Sequence, residues 1–140
     1  MKILLPVDGS DYTKQMLAHL AAHDELLGAG HEYIAFVAVP ALPPHAARFL
    51  DHAAVEEWYA ERAEEVLAPV RAFAAQKGWN LRTLHRAGHA AEAITAVAEE
   101  EKVDMLVMGT HGHSALRNMV LGSVATGVLA RCKLPVLLLR

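Results

Sequence analysis

Three glycines and a serine towards the carboxyl end of the chain are spaced in a way that could hold an anion. Gly109, Gly112 and Gly122 lack a Cβ atom, so their backbone can reach positive φ and can let another molecule approach its amides closely. Ser123 stands where the N-cap of a predicted helix over residues 124–131 would be. Free amides and the positive end of the helix dipole converge at such a point, which attracts anions and above all phosphates.

Neither of the two familiar phosphate-binding loops occurs in the sequence. It contains no G-x-x-x-x-G-K-[ST] motif and no G-x-G-x-x-G motif, which excludes a Walker-type or dinucleotide-type loop. A phosphate bound here would therefore depend on amides, hydroxyls and a metal ion. The alternative, that these glycines only form turns at a strand end, stays open from the spacing alone.

Other polar residues lie near the same stretch. Asp8 is predicted at the carboxyl tip of the first strand, although an aspartate in an ordinary turn is the alternative. His111 and His113 lie between the glycines, where the backbone or a ring N–H could meet a phosphate, or where both could be exposed loop histidines. Arg117 is the nearest fixed positive charge and could touch a terminal phosphate, but a solvated arginine is the simpler interpretation.

The side chains of the sequence indicate neither a metal site nor the active site of a hydrolase. His19 and His23 have the i, i+4 spacing of a helical metal site, but no third ligand is identifiable, so we predict an exposed helix flank and no protein metal site. Ser10, Ser114 and Ser123 all lack a G-x-S-x-G setting. The sequence therefore identifies no catalytic residues.

Strands and helices are predicted to alternate along the chain. Apolar runs predict strands over residues 2–7, 33–39, 81–85, 105–108 and 135–139, and helical spacing predicts helices over residues 11–27, 53–76, 90–101 and 124–131. The proline-rich segment from Pro40 to Asp51 is predicted to be a surface loop. Right-handed crossovers turn this alternation into an open five-stranded parallel sheet with helices on both faces, an α/β fold.

The order of the strands decides whether the candidate residues meet. In the order 3-2-1-4-5, strands one and four flank the point where the winding direction reverses, and ligands bind beyond the carboxyl ends of the strands there. Asp8 and Gly109 would then face one crevice. The last strand, Val136 to Leu139, would lie at an edge of the sheet without a charge or a proline, which predicts a homodimer through this strand unless the chain's own loops cover it.

Composition excludes several classes of protein. The 140 residues, 54% of them hydrophobic, are enough for one domain over residues 1–140 and leave no room for a second. A net charge of −3 with scattered basic residues argues against nucleic-acid binding. No apolar run approaches membrane-spanning length or forms a signal-peptide core, so we expect a cytoplasmic protein without a membrane partner.

These residues together resemble the universal stress proteins, of the subgroup that binds ATP, over nearly the whole chain. The nucleotide motif of that family is glycine, two residues, glycine, nine residues, glycine, then serine or threonine, and it stands here as Gly109, Gly112, Gly122 and Ser123. The opening strand with Asp8-Gly9-Ser10 and the closing Pro135-Val136 run are further landmarks. The resemblance implies a Rossmann-like fold of the adenine nucleotide alpha hydrolase-like type, and the same homodimer.

The resemblance also implies a set of ligand contacts. Pro6, Val7 and Asp8 would contact adenine or ribose, and the backbone near Ala38 would complete the base pocket. Ribose and phosphates would be surrounded by Met108, Gly109, His111, Gly112, Gly122, Ser123, Val124 and Ala125. ATP is the implied ligand, with Mg²⁺ or Mn²⁺ bound through its phosphates. His89 and Gly127 depart from the usual family residues, outside the motif.

Three alternative functions are considered for a protein with these residues. The first is an adenine-nucleotide-binding module of stress response or signalling, and the second is an enzyme that slowly hydrolyses or transfers phosphate from ATP. The motif supports binding alone, because phosphoryl transfer needs a positioned nucleophile and metal-holding carboxylates, and only Asp8 is a plausible acid near the crevice. The third, a nucleotide-free structural dimer, predicts a broken glycine motif, whereas the motif here is intact.

Overall fold

The computed structural model of the protein describes residues 1–113 and 118–140, so Ser114 and Arg117 lie outside the described residues. Strands and helices alternate along the described chain, with two short additional helices. The elements in order are β1 (Lys2–Pro6), α1 (Asp11–Ala22), α2 (Asp24–Leu27), β2 (Glu32–Val39), α3 (Pro44–Ala47), α4 (His52–Gln76), β3 (Asn80–Ala87), α5 (Ala90–Glu100), β4 (Met105–Gly109), α6 (Ser123–Arg131) and β5 (Val136–Leu139).

The strands form one parallel sheet in the order β3-β2-β1-β4-β5, which confirms the predicted fold. β1 is central, with Ile3 paired to Tyr33 of β2 on one side and to Met105 of β4 on the other. Its alternate residues are buried on opposite faces: Leu5 packs with α1 and α4, and Leu4 packs with α5 and α6. Burial on both faces explains why the strand is apolar at every position from Ile3 to Pro6.

The helix predicted over residues 11–27 is wrong in one respect, because it breaks at His23. The His23 amide bonds to the carbonyl of His19, and its own carbonyl accepts from Leu27 and begins the short helix α2. The apolar spacing that suggested one helix ran through Leu26, which is 69% exposed. Periodicity thus overstated the length of the buried helix face.

The turn after α2 is anchored by a buried tyrosine. The Tyr33 hydroxyl donates to the carbonyls of Leu27 and Gly28, the latter at 2.9 Å. Burial, with a smaller contribution from the Asp24 carboxylate, raises the pKa of Tyr33 to about 12. The hydroxyl therefore remains a donor at neutral pH, which keeps the entry into β2 fixed.

The segment predicted as an irregular loop contains a one-turn helix, α3. It begins at Pro44, where proline fits because the first residues of a helix have no use for their N–H groups. The following helix α4 begins as predicted, with Asp51 as its N-cap: the Asp51 carboxylate accepts from the Ala54 amide at 2.7 Å. Proline in this segment therefore begins a helix, in addition to keeping the segment out of the hydrogen-bonded sheet.

The glycine at position 127 is explained by the close packing of α6 on α5. A Cβ atom at this position would lie 2.6 Å from the Cβ of Ala91, so glycine lets α6 approach α5 closely. The low helix propensity of glycine is offset by this contact between the two helices that cover one side of the site.

The final strand β5 pairs with β4 and forms one edge of the sheet. Its residues are all half-buried. Within the described residues, no helix combines the length and apolar character needed to cross a bilayer.

Candidate functional site

A cavity of about 440 Å³ opens at the carboxyl ends of β1 and β4, where the winding of the sheet reverses. β1 leads into α1 on one face of the sheet, and β4 leads towards α6 on the other, so the ends of the two strands are left uncovered between them. The structure brings every sequence-predicted site residue into the lining of this one cavity: Pro6, Val7, Asp8, Ala38, Met108, Gly109, His111, Gly112, Gly122, Ser123, Val124 and Ala125.

The lining also includes residues that the sequence reasoning did not select. They are Tyr12, Thr13, Phe36, Ala90, Ile94, Thr110 and Met119, and the lining also contains His113, which the sequence named as a candidate beside His111. Phe36 could have been found, because it lies two residues before Ala38 on the same face of β2. Thr13 and Ile94 could not, because their positions depend on how α1 and α5 pack over the strand ends.

The motif glycines serve a different purpose from the one predicted. None of the three has a positive φ; among the described residues the positive-φ glycines are Gly9, Gly78 and Gly88. The conformational part of the prediction is therefore wrong. Glycine is needed at these positions because a side chain would have no room there.

Atoms of the chain itself occupy the places where side chains would go. A Cβ on Gly109 would lie 2.9 Å from the Cβ of Tyr12, and one on Gly112 would lie 2.4 Å from Oδ2 of Asp8. A Cβ on Gly122 would lie 3.1 Å from the carbonyl oxygen of Thr110. Glycine at these positions lets the two loops at the strand ends pack directly on each other and form the cavity wall.

The start of α6 is shifted by one residue from the prediction. Gly122, and not Ser123, is the N-cap: its amide donates to the Thr110 carbonyl at 2.7 Å, and its carbonyl accepts from the Thr126 amide at 3.0 Å. Among the described residues, no side chain caps this end. The first amides of the helix, on Ser123, Val124 and Ala125, have no acceptor within the helix. All of these residues line the cavity, so its wall carries the positive end of the helix dipole and amides that donate to no described residue.

His111 fixes the loop through both of its ring nitrogens. Nε2 lies 2.8 Å from the carbonyl oxygen of Met119, which can only accept, so Nε2 carries the proton. Nδ1 lies 3.0 Å from the Thr110 hydroxyl, which donates to it in the neutral ring. The ring N–H of His111 is therefore already bonded within the protein, and the part of the prediction that this geometry supports is a contact through the His111 backbone.

Asp8 and His113 join the two sides of the cavity. The His113 Nε2 donates to the Asp8 backbone carbonyl at 2.6 Å. The Asp8 carboxylate accepts at Oδ1 from the Ser10 amide at 2.9 Å and from the Thr13 hydroxyl at 3.0 Å. The proton of the His113 Nε2 is thus used within the protein as well, and the predicted phosphate contact that stays open for this residue is one through its backbone.

The cavity divides into two chemical regions. The apolar side chains of its lining include Val7, Phe36 and Ile94, and its exposed peptide groups come from the glycine stretch and the start of α6. The described lining contains no lysine or arginine, and its titratable side chains are Asp8, Tyr12, His111 and His113. Such a cavity suits a ligand that is flat and apolar at one end and anionic at the other.

A protein-built metal centre is not seen in the described ranges. No group of three or more His, Cys, Asp or Glu side chains is placed there to hold a metal ion. The rings of His19 and His23 lie 4.4 Å apart on the exposed side of α1, as predicted for a helix flank.

Comparison with known proteins agrees with this fold. The family model described as the universal stress protein family matches residues 1–140. A universal stress protein of Thermus aquaticus is 35% identical over 138 residues, which cover 99% of this chain and 97% of the relative. The universal stress protein Slr1230 of Synechocystis is 43% identical over 63 residues, 45% of this chain, and the chain spans only 22% of that longer relative. Among solved structures, the universal stress protein of Archaeoglobus fulgidus in complex with dAMP has a TM-score of 0.69 at 20% identity, covering 100% of this chain and 98% of that one.

Proposed function

Because this chain belongs to the universal stress protein family, we propose that it is an adenine-nucleotide-binding module of stress response or signalling, with ATP as its ligand. The observation that carries the proposal is the cavity at the switch point, whose lining combines apolar side chains with the amide-bearing start of α6. The A. fulgidus relative, solved in complex with dAMP, supports an adenine nucleotide as the occupant.

In the proposed complex the base lies in the apolar region, against Pro6, Val7 and the backbone at Ala38. The phosphates lie at the amides of Ser123 and its neighbours, because those donors and the helix dipole favour negative charge. The ribose joins the two regions and lies beside Asp8. The other proposed contacts are the lining residues Met108, Gly109, His111, Gly112, Gly122, Val124 and Ala125.

A divalent cation completes the proposed complex with ATP. The described lining offers no lysine or arginine to a triphosphate, and Asp8 adds a negative charge. Mg²⁺ or Mn²⁺ bound through the phosphates would neutralise that charge without a dedicated cluster of protein ligands.

Calorimetric titration with ATP tests the proposal. We expect a dissociation constant on the order of micromolar with Mg²⁺ and clearly weaker binding in EDTA, because only the cation neutralises the triphosphate. AMP, which carries less charge, is the control and should depend much less on Mg²⁺. Absence of binding heat for every adenine nucleotide, with protein shown to be folded by circular dichroism, would refute the proposal.

Nucleotide binding is proposed in preference to catalysis because the Asp8 carboxylate is already engaged in hydrogen bonds within the protein. It is the single carboxylate in the described lining, and its Oδ1 is already occupied by two hydrogen bonds. Phosphoryl transfer needs a residue that positions the attacking group and others that neutralise the transferring phosphate, and binding alone does not lower the barrier.

A further inference from the structure

The Asp8 carboxylate is held in one orientation by the first turn of α1. Gly9, with a φ of +75°, turns the chain sharply after β1, so that α1 starts directly over Asp8. Thr13 in that first turn is buried, with 6% of its surface exposed. Its hydroxyl accepts from the Asp8 amide at 3.2 Å and donates to the Asp8 Oδ1 at 3.0 Å. One hydroxyl thus bonds both the backbone and the side chain of the same residue.

The two carboxylate oxygens of Asp8 are therefore not equivalent. Oδ1 accepts from Thr13 and from the Ser10 amide, whereas Oδ2 has no hydrogen-bond partner among the described residues and can accept from a ligand. Oδ2 points at Gly112, close enough that a Cβ there would lie 2.4 Å away. It thus sits between Val7, which belongs to the apolar part of the lining, and the glycine stretch.

The chemistry of Oδ2 selects the part of a nucleotide that it can meet. A carboxylate oxygen only accepts hydrogen bonds, and it repels phosphate oxygens. The donors of an adenosine nucleotide are its ribose hydroxyls and the amino group of the base. Because the base belongs in the apolar region and the phosphates at α6, the sugar between them is the group that reaches a carboxylate in this position.

We propose that Thr13 is a positioning residue of this site, whose hydroxyl fixes the Asp8 carboxylate so that Oδ2 accepts a hydrogen bond from a ribose hydroxyl. This inference rests on the proposed nucleotide binding and adds a residue that does not itself touch the ligand. Thr13 acts by removing the rotational freedom of the carboxylate before the nucleotide arrives, which lowers the entropic cost of binding.

Calorimetry with AMP in EDTA tests this role. Thr13→Val removes the hydroxyl at nearly constant shape, and we expect AMP to bind about tenfold more weakly, as for a lost hydrogen bond to a charged group. Thr13→Ser, which keeps the hydroxyl, should restore affinity to within about twofold of the unsubstituted protein. In an Asp8→Ala background, Thr13→Val should cause no further loss, because its partner is gone.

A matched substitution on α5 controls for the loss of a buried threonine hydroxyl as such. Thr95 is also buried, and its hydroxyl donates to the Ala91 carbonyl at 2.8 Å, but it does not line the cavity. Thr95→Val should leave AMP affinity unchanged, and melting temperatures of all variants show that they are folded.

The outcomes separate this inference from the proposed function. If the unsubstituted protein binds AMP and Thr13→Val binds it equally well, the positioning role is wrong while nucleotide binding stands. Equal losses from Thr13→Val with and without Asp8 would also overturn it, since the effect would not pass through the carboxylate. An effect seen with Mg²⁺ but not in EDTA would mean that Oδ2 meets a cation instead of a ribose hydroxyl. Failure of the folded, unsubstituted protein to bind any adenine nucleotide would overturn both.

Discussion

Replacing Gly122 by valine is expected to abolish binding of adenine nucleotides. A Cβ at this position would lie 3.1 Å from the Thr110 carbonyl oxygen and 3.2 Å from the Cα of His111. Both are backbone atoms that cannot rotate away, so the start of α6 must move and carry the amides of Ser123 and Val124 with it. Loss of two hydrogen bonds to charged phosphate oxygens weakens binding by about 100-fold or more.

The cost of this change to the fold should be smaller than its cost to binding. The new side chain meets a loop at the rim of the cavity and not the buried core, so we expect an overpacking penalty of about 1–3 kcal/mol, against about 3–5 kcal/mol for truncating a buried Phe such as Phe36. Thermal melting measured beside calorimetry separates the two effects.

Gly30→Val is the matched control for Gly122→Val. Gly30 is exposed, and a Cβ there would meet no atom within 4 Å. It does not have a positive φ, so a side chain adds no strain. This variant should bind ATP like the unsubstituted protein. If Gly122→Val also retained full affinity, the phosphates would have to bind somewhere other than the start of α6.

Two lysines in β5, Val136→Lys with Leu138→Lys, are expected to convert a homodimer into a monomer. The strand pairs with β4 on one side, which leaves a row of peptide groups on the other side for a second chain. A second copy meeting it across a twofold axis would complete both ladders. Light scattering should then give the mass of two chains for the unsubstituted protein and of one chain for the variant. Because Val136 and Leu138 also pack against the core under α5 and α6, the variant could instead unfold, so circular dichroism accompanies the measurement.

A single proline substitution in β5 tests the proposed dimer interface more specifically. The carbonyls of Pro135 and Leu139 accept from β4, so in a parallel ladder the peptide groups of Leu138 point outward. Leu138→Pro therefore removes an outward N–H without removing a bond to β4. Leu138→Val, which keeps that N–H, is the control and should remain dimeric. A protein that scatters as a monomer before any substitution, at micromolar concentration, would contradict the proposed interface.

Much of the fold could be predicted because it depends on patterns that are local in the chain. The apolar runs of β1 and β4 are buried on both faces, and that burial is visible as uninterrupted hydrophobicity. The break at His23 was not visible in the apolar spacing, because it depends on the hydrogen bonds of the His23 amide and carbonyl. The one-turn helix α3 was missed because the prolines that end a strand also suit the first turn of a helix.

The site was predictable at the level of residues and less so at the level of their roles. The spacing of Gly109, Gly112 and Gly122 indicated where the strand ends converge, and the structure places them in one cavity. Their physical reason was misjudged, since it lies in contacts with Tyr12, Asp8 and Thr110 from elsewhere in the fold. Contacts such as those of Gly109 with Tyr12 and of Gly112 with Asp8 join segments that are distant in the chain, and no spacing within one segment encodes them.

The central claim, that adenine nucleotides bind in the cavity with their phosphates at the start of α6, is tested most directly by amide NMR of isotope-labelled protein during titration with ATP and Mg²⁺. The account predicts saturable shifts of the amides of Gly112, Gly122, Ser123, Val124 and Ala125, with amides on the exposed face of α4 unchanged. A spectrum that ATP leaves unaltered, or saturable shifts confined to residues outside the cavity, would contradict it.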